Sequence, residues 1–265
     1  MTLPTIAAQL YTVREHTQTA AGLAASLKKV AAIGYRAVQI SSIGPIPDAE
    51  VKAMLDDNGL TCCITHDPEP WPWQDLDAVI ARHKLWGCPH AALGGMPMDY
   101  RASEAGYWRL VKEANAIGKR LHEAGLTLSY HNHSFEFVRF GQRLGMDLIY
   151  QETDPRYLKA ELDTFWVQFG GGDPAAWITK MAGRMPVVHF KDMCILFDPN
   201  DEASLWRGKQ TMAEIGEGNL NWPAVLAACE AAGVEWCAVE QDVCQRDPFE
   251  SLKISYENLN AMGLR

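Results

Sequence analysis

Four side chains that can bind a divalent metal ion occur along the chain at intervals close to the length of one strand–helix unit. Asp163 follows Glu136 by 27 residues, and His189 follows Asp163 by 26 residues. Glu240 comes 51 residues after His189, beyond a longer loop. Three carboxylates and one imidazole form a mostly oxygen ligand set, which suits Mn, Mg, Co or, less well, Zn. The spacing and the residue types therefore predict one divalent metal ion as the cofactor.

Each of these residues also has a purely structural explanation. Asp163 could cap the helix that follows it, and a lone buried histidine such as His189 is more often a hydrogen-bonded core residue than a ligand. Glu240 could simply begin a solvated loop. Because the residues recur at equivalent strand ends, we favour a shared site over separate structural roles.

The segment LTLSYHNHSFEF, residues 126–137, leaves the fourth ligand open. It starts with the alternating apolar and polar residues of a strand, and then presents His131 and His133, with Glu136 three residues after His133. Polar side chains at the end of an apolar strand are costly unless they have partners. We expect Glu136 to bind the metal ion, although His131 or His133 could take its place.

The elements that must position these residues follow a repeating pattern of a helix-like run, a glycine and a short apolar strand. Glycine allows the left-handed conformation at a helix C-terminus, and the apolar residues after it build a buried strand. Five copies of the pattern are KKVAAIGYRAVQI, MLDDNGLTCCIT, RHKLWGCPHAAL, RLHEAGLTLSY and ACEAAGVEWCAVE. Each copy indicates one αβ unit.

Completing this pattern predicts eight strands, at about residues 5–10, 36–41, 60–65, 90–93, 126–131, 158–162, 186–190 and 235–240. The clearest helices span about 104–124 and 222–232, with Ser103 and Asn221 as N-caps. Alternation of strand and helix eight times favours a (β/α)8 TIM barrel over a doubly wound sheet. We predict an α/β protein with a single barrel domain over residues 1–265, since no linker rich in Pro, Gly or Ser divides the chain.

Side chains at the C-terminal ends of the strands converge on one mouth in such a barrel, and the long loops there add candidates. Lys191 could hold an anionic intermediate, although a surface ion pair is an equal alternative. Glu217, in EIGEGN, could shape the mouth or support His189. The residues predicted to contact substrate are His66, His131, Trp166 and Glu217, and those predicted to act in catalysis are Glu136, Glu240, His133 and Lys191.

The composition restricts the partners and the compartment. A formal net charge of −9 argues against nucleic acid as the main partner, because phosphate backbones need a basic surface. The seven cysteines form no CxxC pair, which suits free thiols in a reducing compartment. The sequence shows no signal-peptide pattern and no apolar run of about 18 residues. We expect a cytoplasmic protein without a membrane partner, and homo-oligomer formation is compatible with the sequence.

Six motifs span almost the whole chain: QLYTVRE, HNHSFEF, ELDTFWVQFGGGDP, VHFKD, EIGEGNLNW and VEQD. In this order they resemble the sugar phosphate isomerase/epimerase family of xylose isomerase-like TIM barrels. The resemblance implies a barrel with one divalent metal ion at its C-terminal mouth and a small carbohydrate or polyol as substrate. It also implies that Asp163, His189 and Glu240 are metal ligands, with a fourth ligand from the strand-five segment.

The chain departs from that family at three positions. His131 stands where epimerases often have a carboxylate, and Trp166 stands where some relatives carry a substrate-contacting histidine. The second strand ends with Gln39 rather than with a carboxylate. These differences leave the substrate and the reaction type open.

The expected reaction is abstraction of a proton from the carbon next to a carbonyl of a ketose or keto-sugar, through an enediolate that the metal ion stabilises. Glu240 and Glu136 would bind the metal ion and also move protons, with His131 or His133 as a reserve base. Return of the proton gives an epimer or an isomer. Loss of a β-leaving group would instead make the protein a lyase or dehydratase of a keto-sugar or keto-inositol. A non-catalytic sugar-binding barrel is the alternative outside enzymes.

Overall fold

The computed structural model of the protein describes residues 3–68 and 70–265, in which eight parallel strands form a closed barrel. Residues 1, 2 and 69 of the predicted domain lie outside these ranges. Each strand pairs with the next one along the chain, and the last strand pairs with the first. The strands are β1 (Thr5–Gln9), β2 (Ala37–Ile40), β3 (Thr61–His66), β4 (His90–Leu93), β5 (Thr127–His131), β6 (Leu158–Asp163), β7 (Val187–Phe190) and β8 (Trp236–Val239). This barrel confirms the predicted (β/α)8 fold class.

Helices connect the strands on the outside of the barrel. They are α1 (Ala20–Ile33), α2 (Asp48–Asp57), α3 (Leu76–Trp86), α4 (Glu104–Glu123), α5 (Gly145–Glu152), α6 (Thr164–Phe169), α7 (Pro174–Lys180), α8 (Glu202–Arg207), α9 (Trp222–Ala232) and α10 (Pro248–Ala261). Short 3₁₀ helices span Leu10–His16, Met98–Tyr100 and Phe135–Phe137. Within the described ranges, no helix combines the length and the apolar composition that a membrane span requires.

Helix α4 forms where the apolar stripe predicted it. The Tyr107 and Leu110 side chains of this stripe are fully buried, and the hydroxyl of Ser103 accepts a hydrogen bond from the backbone amide of Gly106. Helix α9 ends at Gly233, whose φ of 72° is the left-handed conformation that favours glycine. Local sequence signals therefore determine where these two helices begin and end.

The C-terminal ends of five strands differ by one residue from the predicted ones. Strand β3 continues to His66 and β6 continues to Asp163, whereas β1, β2 and β8 each end one residue before the predicted position. Parallel pairing with the neighbouring strands, rather than the local sequence, decides where each strand stops. Asp163 pairs in register with His189 of β7. This pairing brings two candidate ligands from adjacent strands to the same height in the barrel.

Alternation along the strands places two layers of side chains inside the barrel. A separate apolar cluster forms the lower layer and consists of Ala7, Ala37, Cys63, Ile64, Ala92, Val187 and Ala238. Two positions further along β1, β2, β7 and β8 come the buried polar residues Gln9, Gln39, His189 and Glu240. The interior therefore changes from apolar to polar between one layer and the next, towards the C-terminal mouth.

The loop after β7 leaves the barrel as a two-stranded antiparallel ribbon and then returns to it. The ribbon pairs Asp192–Leu196 with Lys209–Ala213. The buried carboxylate of Asp192 accepts hydrogen bonds from the backbone amide of Gly218 and from the indole of Trp222. A Cβ atom on Gly218 would lie 2.3 Å from Oδ1 of Asp192, so glycine is required there. Asp192 thus anchors the return of this long loop beside the mouth.

Candidate functional site

Four buried side chains meet at the C-terminal end of the barrel. His131 and Asp163 are the last residues of β5 and β6. His189 lies in β7, and Glu240 directly follows β8. Each side chain offers one nitrogen or oxygen atom that can bind a cation, and these four atoms all lie within 4.8 Å of one another. We call these four residues the strand-end cluster.

Asp163 caps a helix with one carboxylate oxygen and faces the cluster with the other. Its Oδ1 accepts a hydrogen bond of 2.9 Å from the backbone amide of Trp166, in the first turn of α6. Its Oδ2 lies 3.2 Å from Nε2 of His131. Across the cluster, Nδ1 of His189 lies 2.9 Å from Oε2 of Glu240. The helix cap fixes the plane of the Asp163 carboxylate, and its second oxygen is thereby directed into the cluster.

Lys191 is fully buried beside the strand-end cluster, which excludes a surface ion pair. Its Nζ lies 2.9 Å from Asp163, 2.8 Å from Glu240 and 2.9 Å from Asp242. An ammonium group has three N–H donors, so these carboxylates occupy all of them. Although burial opposes ionisation, Lys191 lowers the pKa of Asp163 to about 2 and holds the pKa of Glu240 well below its ordinary range. Both carboxylates of the cluster are therefore ionised.

A second buried set of polar side chains surrounds Glu161, two residues before Asp163 in β6. Glu161 accepts a hydrogen bond of 2.9 Å from Nε2 of Gln39, and its carboxylate lies 2.9 Å from Nε2 of His66. Nε2 of His189 is 3.0 Å from the same carboxylate. Burial disfavours the charged imidazole of His189, but its carboxylate neighbours raise its pKa to about 10. Sequence reasoning missed Glu161, although strand alternation places it on the same face as Asp163.

Glu136, the predicted fourth ligand, is buried but does not belong to the strand-end cluster. It lies in the 3₁₀ turn Phe135–Phe137, where its carboxylate accepts hydrogen bonds from the hydroxyl of Tyr130 and the backbone amide of His133. Burial raises the pKa of Glu136 to about 7 in spite of these hydrogen bonds. His131 joins the cluster because the end of β5 turns this side chain into the barrel. The structure thus places the alternative, His131, where the sequence favoured Glu136.

His133 and Trp166 form an aromatic wall next to the cluster. Their ring centroids lie 5.3 Å apart, and the ring of His133 lies 5.0 Å from that of His131. Burial, together with the positive charge of Lys191, lowers the pKa of His133 to about 2, so its imidazole is neutral. Among the described residues, none forms a hydrogen bond with Nδ1 of His133 or Nε1 of Trp166. Both side chains therefore keep a polar atom for a further partner.

The other two residues predicted to contact substrate lie in different surroundings. Glu217 is far from buried, and its carboxylate pairs with Arg246 at 2.8 Å instead of approaching the cluster. His66 lines an open cleft of about 440 Å³ together with His131 and Glu240. This cleft gives a small molecule access to the strand-end cluster from the solvent, and Glu217 is outside its lining.

The donor atoms of the strand-end cluster fit a divalent metal ion. Two carboxylate oxygens and two imidazole nitrogens are ligands that Mn, Co and Zn accept. Nε2 of His189 has an acceptor in Oε1 of Gln39 at 2.7 Å, so its Nδ1 is left to face the carboxylates. Ligating histidines commonly have such a partner on the second ring nitrogen. The residues that would hold the ion are His131, Asp163, His189 and Glu240.

Comparisons with known proteins agree with this architecture. The xylose isomerase-like TIM barrel family matches residues 27–260. Inosose dehydratase of Geobacillus thermodenitrificans is 29% identical over 149 residues, which are 53% of this chain and 49% of that protein. Inosose dehydratase of Salmonella typhimurium is 30% identical over 154 residues, or 54% of this chain and 50% of that protein. The chain thus spans about half the length of the curated relatives it matches.

Solved structures with the same fold cover nearly the whole chain. A sugar phosphate isomerase/epimerase from Parabacteroides distasonis has a TM-score of 0.76 at 21% identity, over 99% of this chain and 96% of that one. An L-ribulose 3-epimerase has a TM-score of 0.71 at 16% identity, over 98% and 94% of the two chains. At such low identity, these similarities show the fold alone.

Proposed function

Because this chain belongs to the xylose isomerase-like TIM barrel family, we propose that it is a divalent-metal-dependent isomerase or epimerase of a ketose or keto-sugar. The strand-end cluster is the observation that carries the proposal. Its four donor atoms lie within 4.8 Å of one another, and the cleft lined by His131 and Glu240 opens above them. Buried ionised groups that converge at the C-terminal mouth of a barrel are typical of a catalytic site.

The cluster would hold the ion through His131 in place of the predicted Glu136. When bound, a divalent ion would stabilise the negative charge that develops on neighbouring substrate oxygens. Lys191 supports the same site, because it offsets the repulsion between Asp163 and Glu240 and keeps both carboxylates ionised. Since its three donors are already used, we assign Lys191 to charge balance rather than to direct proton transfer.

We assign proton abstraction to Glu240. It is ionised and lines the cleft, so a substrate carbon can approach its carboxylate. His133 is the second proton-transfer group, because its neutral imidazole has an unpartnered Nδ1 within the described residues. Glu240 follows β8 and His133 follows β5, so they reach the cleft from different sides. Return of the proton by Glu240 to the neighbouring carbon would give an isomer. Delivery of a proton to the original carbon from the side of His133 would give an epimer, if the neutral imidazole donates its N–H proton while its other nitrogen takes up a proton from water.

His66 and Trp166 are the residues that we assign to substrate binding. His66 lines the cleft, and the ring of Trp166 packs beside His133. An aromatic face of this kind can cover the apolar side of a sugar ring, while a ring nitrogen binds a hydroxyl group. The position of Glu217 beside Arg246 gives its predicted substrate contact no support.

A dehydratase of a keto-inositol or keto-sugar is the second candidate. The specific observation in its favour is that the sequence relatives are named inosose dehydratase. Such a reaction would begin with the same proton abstraction by Glu240 and would then expel a hydroxyl group from the β-carbon as water. The two candidates therefore differ only after the first step.

Incubation in D₂O with substrate tests both candidates at once. The metal-loaded protein is incubated with a panel of ketoses, 3-keto-glycosides and an inosose, and the products are followed by NMR and mass spectrometry. We expect deuterium at the carbon next to the carbonyl, together with a changed configuration or a moved carbonyl. Loss of one water from the product would instead support the dehydratase.

The control is Glu240→Gln, which keeps the size of the side chain but cannot accept a proton as a carboxylate. It should lower the exchange by about 10²–10⁴-fold. If wild-type protein with bound metal binds these compounds without any exchange or product, both enzyme proposals fail, and a sugar-binding barrel explains the site.

A further inference from the structure

Glu161 is a fully buried carboxylate whose partners among the described residues include His189 of the strand-end cluster. Gln39 donates to Oε1 of Glu161 at 2.9 Å, and His66 Nε2 lies 2.9 Å from Oε2. Nε2 of His189 lies 3.0 Å from Oε1. Burying a carboxylate costs free energy unless strong partners surround it. No proposed step of the reaction uses Glu161, so its position needs another explanation.

The hydrogen bonds around His189 give the two ring nitrogens different environments. Nε2 has two acceptors, Oε1 of Gln39 at 2.7 Å and Oε1 of Glu161 at 3.0 Å. Nδ1 faces Oε2 of Glu240 at 2.9 Å. Both nitrogens therefore face acceptors and carry protons when no ion is bound. Only Nδ1 faces the strand-end cluster, so Nδ1 is the nitrogen that would exchange its proton for a cation there, while Nε2 keeps its proton.

Glu161 also sets the orientation of Gln39. An amide side chain can present either its oxygen or its NH₂ group to a neighbour. Because the NH₂ group of Gln39 donates to Glu161, its oxygen must face Nε2 of His189. Glu161 therefore acts on His189 twice, by direct contact and through Gln39.

We propose that Glu161 is a positioning residue that keeps the proton of His189 on Nε2 and so presents Nδ1 to the metal ion, while it also holds His66 at the wall of the cleft. This inference rests on the metal site of the proposed function. A carboxylate behind a ligating histidine fixes the orientation of the ring and makes its other nitrogen a stronger metal ligand. Loss of such a partner typically weakens metal binding 10–100-fold. The same carboxylate connects the ion to a residue that lines the substrate cleft.

The alternative that His66, Glu161 and His189 bind a second ion is less compatible with these contacts. Their donor atoms also lie within 4.8 Å of one another. However, His189 would have to lose its Nε2 proton to bridge two ions, and Gln39 and Glu161 would lose their donor. The proposal therefore includes a stoichiometry of one ion per chain.

Metal titration of the full-length protein tests the assignment. Chelated, metal-free protein is titrated with Co²⁺, followed by visible absorption and calorimetry, for the wild type, Glu161→Gln and Glu161→Leu. Glu161→Leu removes both acceptors and should weaken Co²⁺ binding by about 10–100-fold. Glu161→Gln keeps one acceptor oxygen but loses the charge, so its binding should be intermediate. Glu214→Gln is the matched control, since Glu214 is a buried glutamate that bonds to Ser251 outside the cluster, and it should bind like the wild type.

A second measurement separates positioning from a general loss of structure. In Zn²⁺-loaded protein with ¹⁵N-labelled histidine, the wild type should show a slowly exchanging proton on Nε2 of His189. This signal should disappear in Glu161→Leu, while Glu161→Gln should keep it and circular dichroism should show all variants folded.

The outcomes distinguish the two proposals. Wild-type protein that binds no Co²⁺ overturns the metal-dependent function and this assignment with it. Binding of one ion by the wild type, with both Glu161 variants within twofold of it and an unchanged His189 signal, overturns the positioning role alone. Binding of two ions per chain also contradicts it.

Discussion

The two ends of the barrel interior are built from the same strands and have opposite character. Ala7 and Ala238 belong to the apolar lower layer. Two positions later in β1 and β8 come Gln9 and Glu240, which are buried and polar. The apolar lower layer and the layer of buried polar and charged side chains are therefore only two residues apart along each strand.

This difference suggests separate roles, in which the lower layer stabilises the fold and the mouth carries the candidate site. Small apolar side chains in the lower layer fit the narrow interior and leave no polar group without a partner. At the mouth, carboxylates, imidazoles and the ammonium of Lys191 are buried against one another. Burial of such groups adds little stability on balance, which fits the proposed role of the mouth in binding a metal ion and a substrate. Substitutions at the mouth should then change activity and metal binding, whereas substitutions in the lower layer should change the free energy of unfolding.

The largest expected effect is on catalysis at the mouth. Glu240→Gln should lower solvent-deuterium incorporation by about 10²–10⁴-fold, because the side chain can no longer accept the proton. The control is Glu235→Gln, at the exposed opposite end of the same strand segment, which should react like the wild type. If the exchange rate of Glu240→Gln stays within tenfold of the wild-type rate, the proposal that Glu240 abstracts the proton is wrong.

Burial of the Glu136 carboxyl group should also make the free energy of unfolding depend on pH. Its pKa rises from 4.5 to about 7 on folding, so its contribution is fully present below pH 4.5 and is lost as the pH rises through 7. The side chain of the Glu136→Gln variant cannot ionise, so the variant does not lose this stability as the pH rises. The unfolding free energy of the variant relative to the wild type should therefore increase by about 3 kcal/mol between pH 4 and pH 8, at about 1.4 kcal/mol per pH unit.

Urea unfolding of both proteins at several pH values measures this difference. The comparison of variant with wild type removes the contributions of other titrating groups. A difference that does not change with pH would show that the hydrogen bonds from Tyr130 and His133 offset the effect of burial, so that the pKa of Glu136 does not change on folding.

Metal binding should stabilise the mouth by a comparable amount. An ion at a hundredfold excess over its Kd stabilises the folded state by about 2.7 kcal/mol, so Mn²⁺ or Co²⁺ should raise the Tm of chelated wild-type protein. Asp163→Ala combined with His189→Ala removes two of the four donors and should abolish the increase. An equal Tm increase in the double variant would place the ion elsewhere.

The smallest expected effect belongs to the lower layer. Ala7→Leu adds volume to a packed apolar cluster and should lower the unfolding free energy by about 2 kcal/mol, while the Kd for Co²⁺ stays unchanged. Ala25→Leu, on the exposed face of α1, should change neither quantity. A loss of metal affinity in Ala7→Leu would show that the two layers are mechanically coupled, against the division described above.

The fold and part of the candidate site could be predicted from local patterns. Glycine-capped αβ units repeat along the chain, so the strand count followed from the sequence. Because strand ends converge in a barrel, the spacing of Asp163, His189 and Glu240 was enough to predict that they meet. The choice between His131 and Glu136 could not be made in this way, since it depends on where β5 stops and how the next turn folds back to Tyr130.

By itself, the sequence determined the order of strands and helices and the residue types at the strand ends, because periodicity and caps act over one unit of the chain. Closure of the barrel decided the partners. It joins Gln39 to Glu161 across 122 positions and to His189 across 150, and it surrounds Lys191 with three carboxylates. Local patterns carry no information about such distant pairs. Only the tertiary structure could therefore show that Glu161 contacts His189 and Gln39 and that Glu136 lies outside the strand-end cluster.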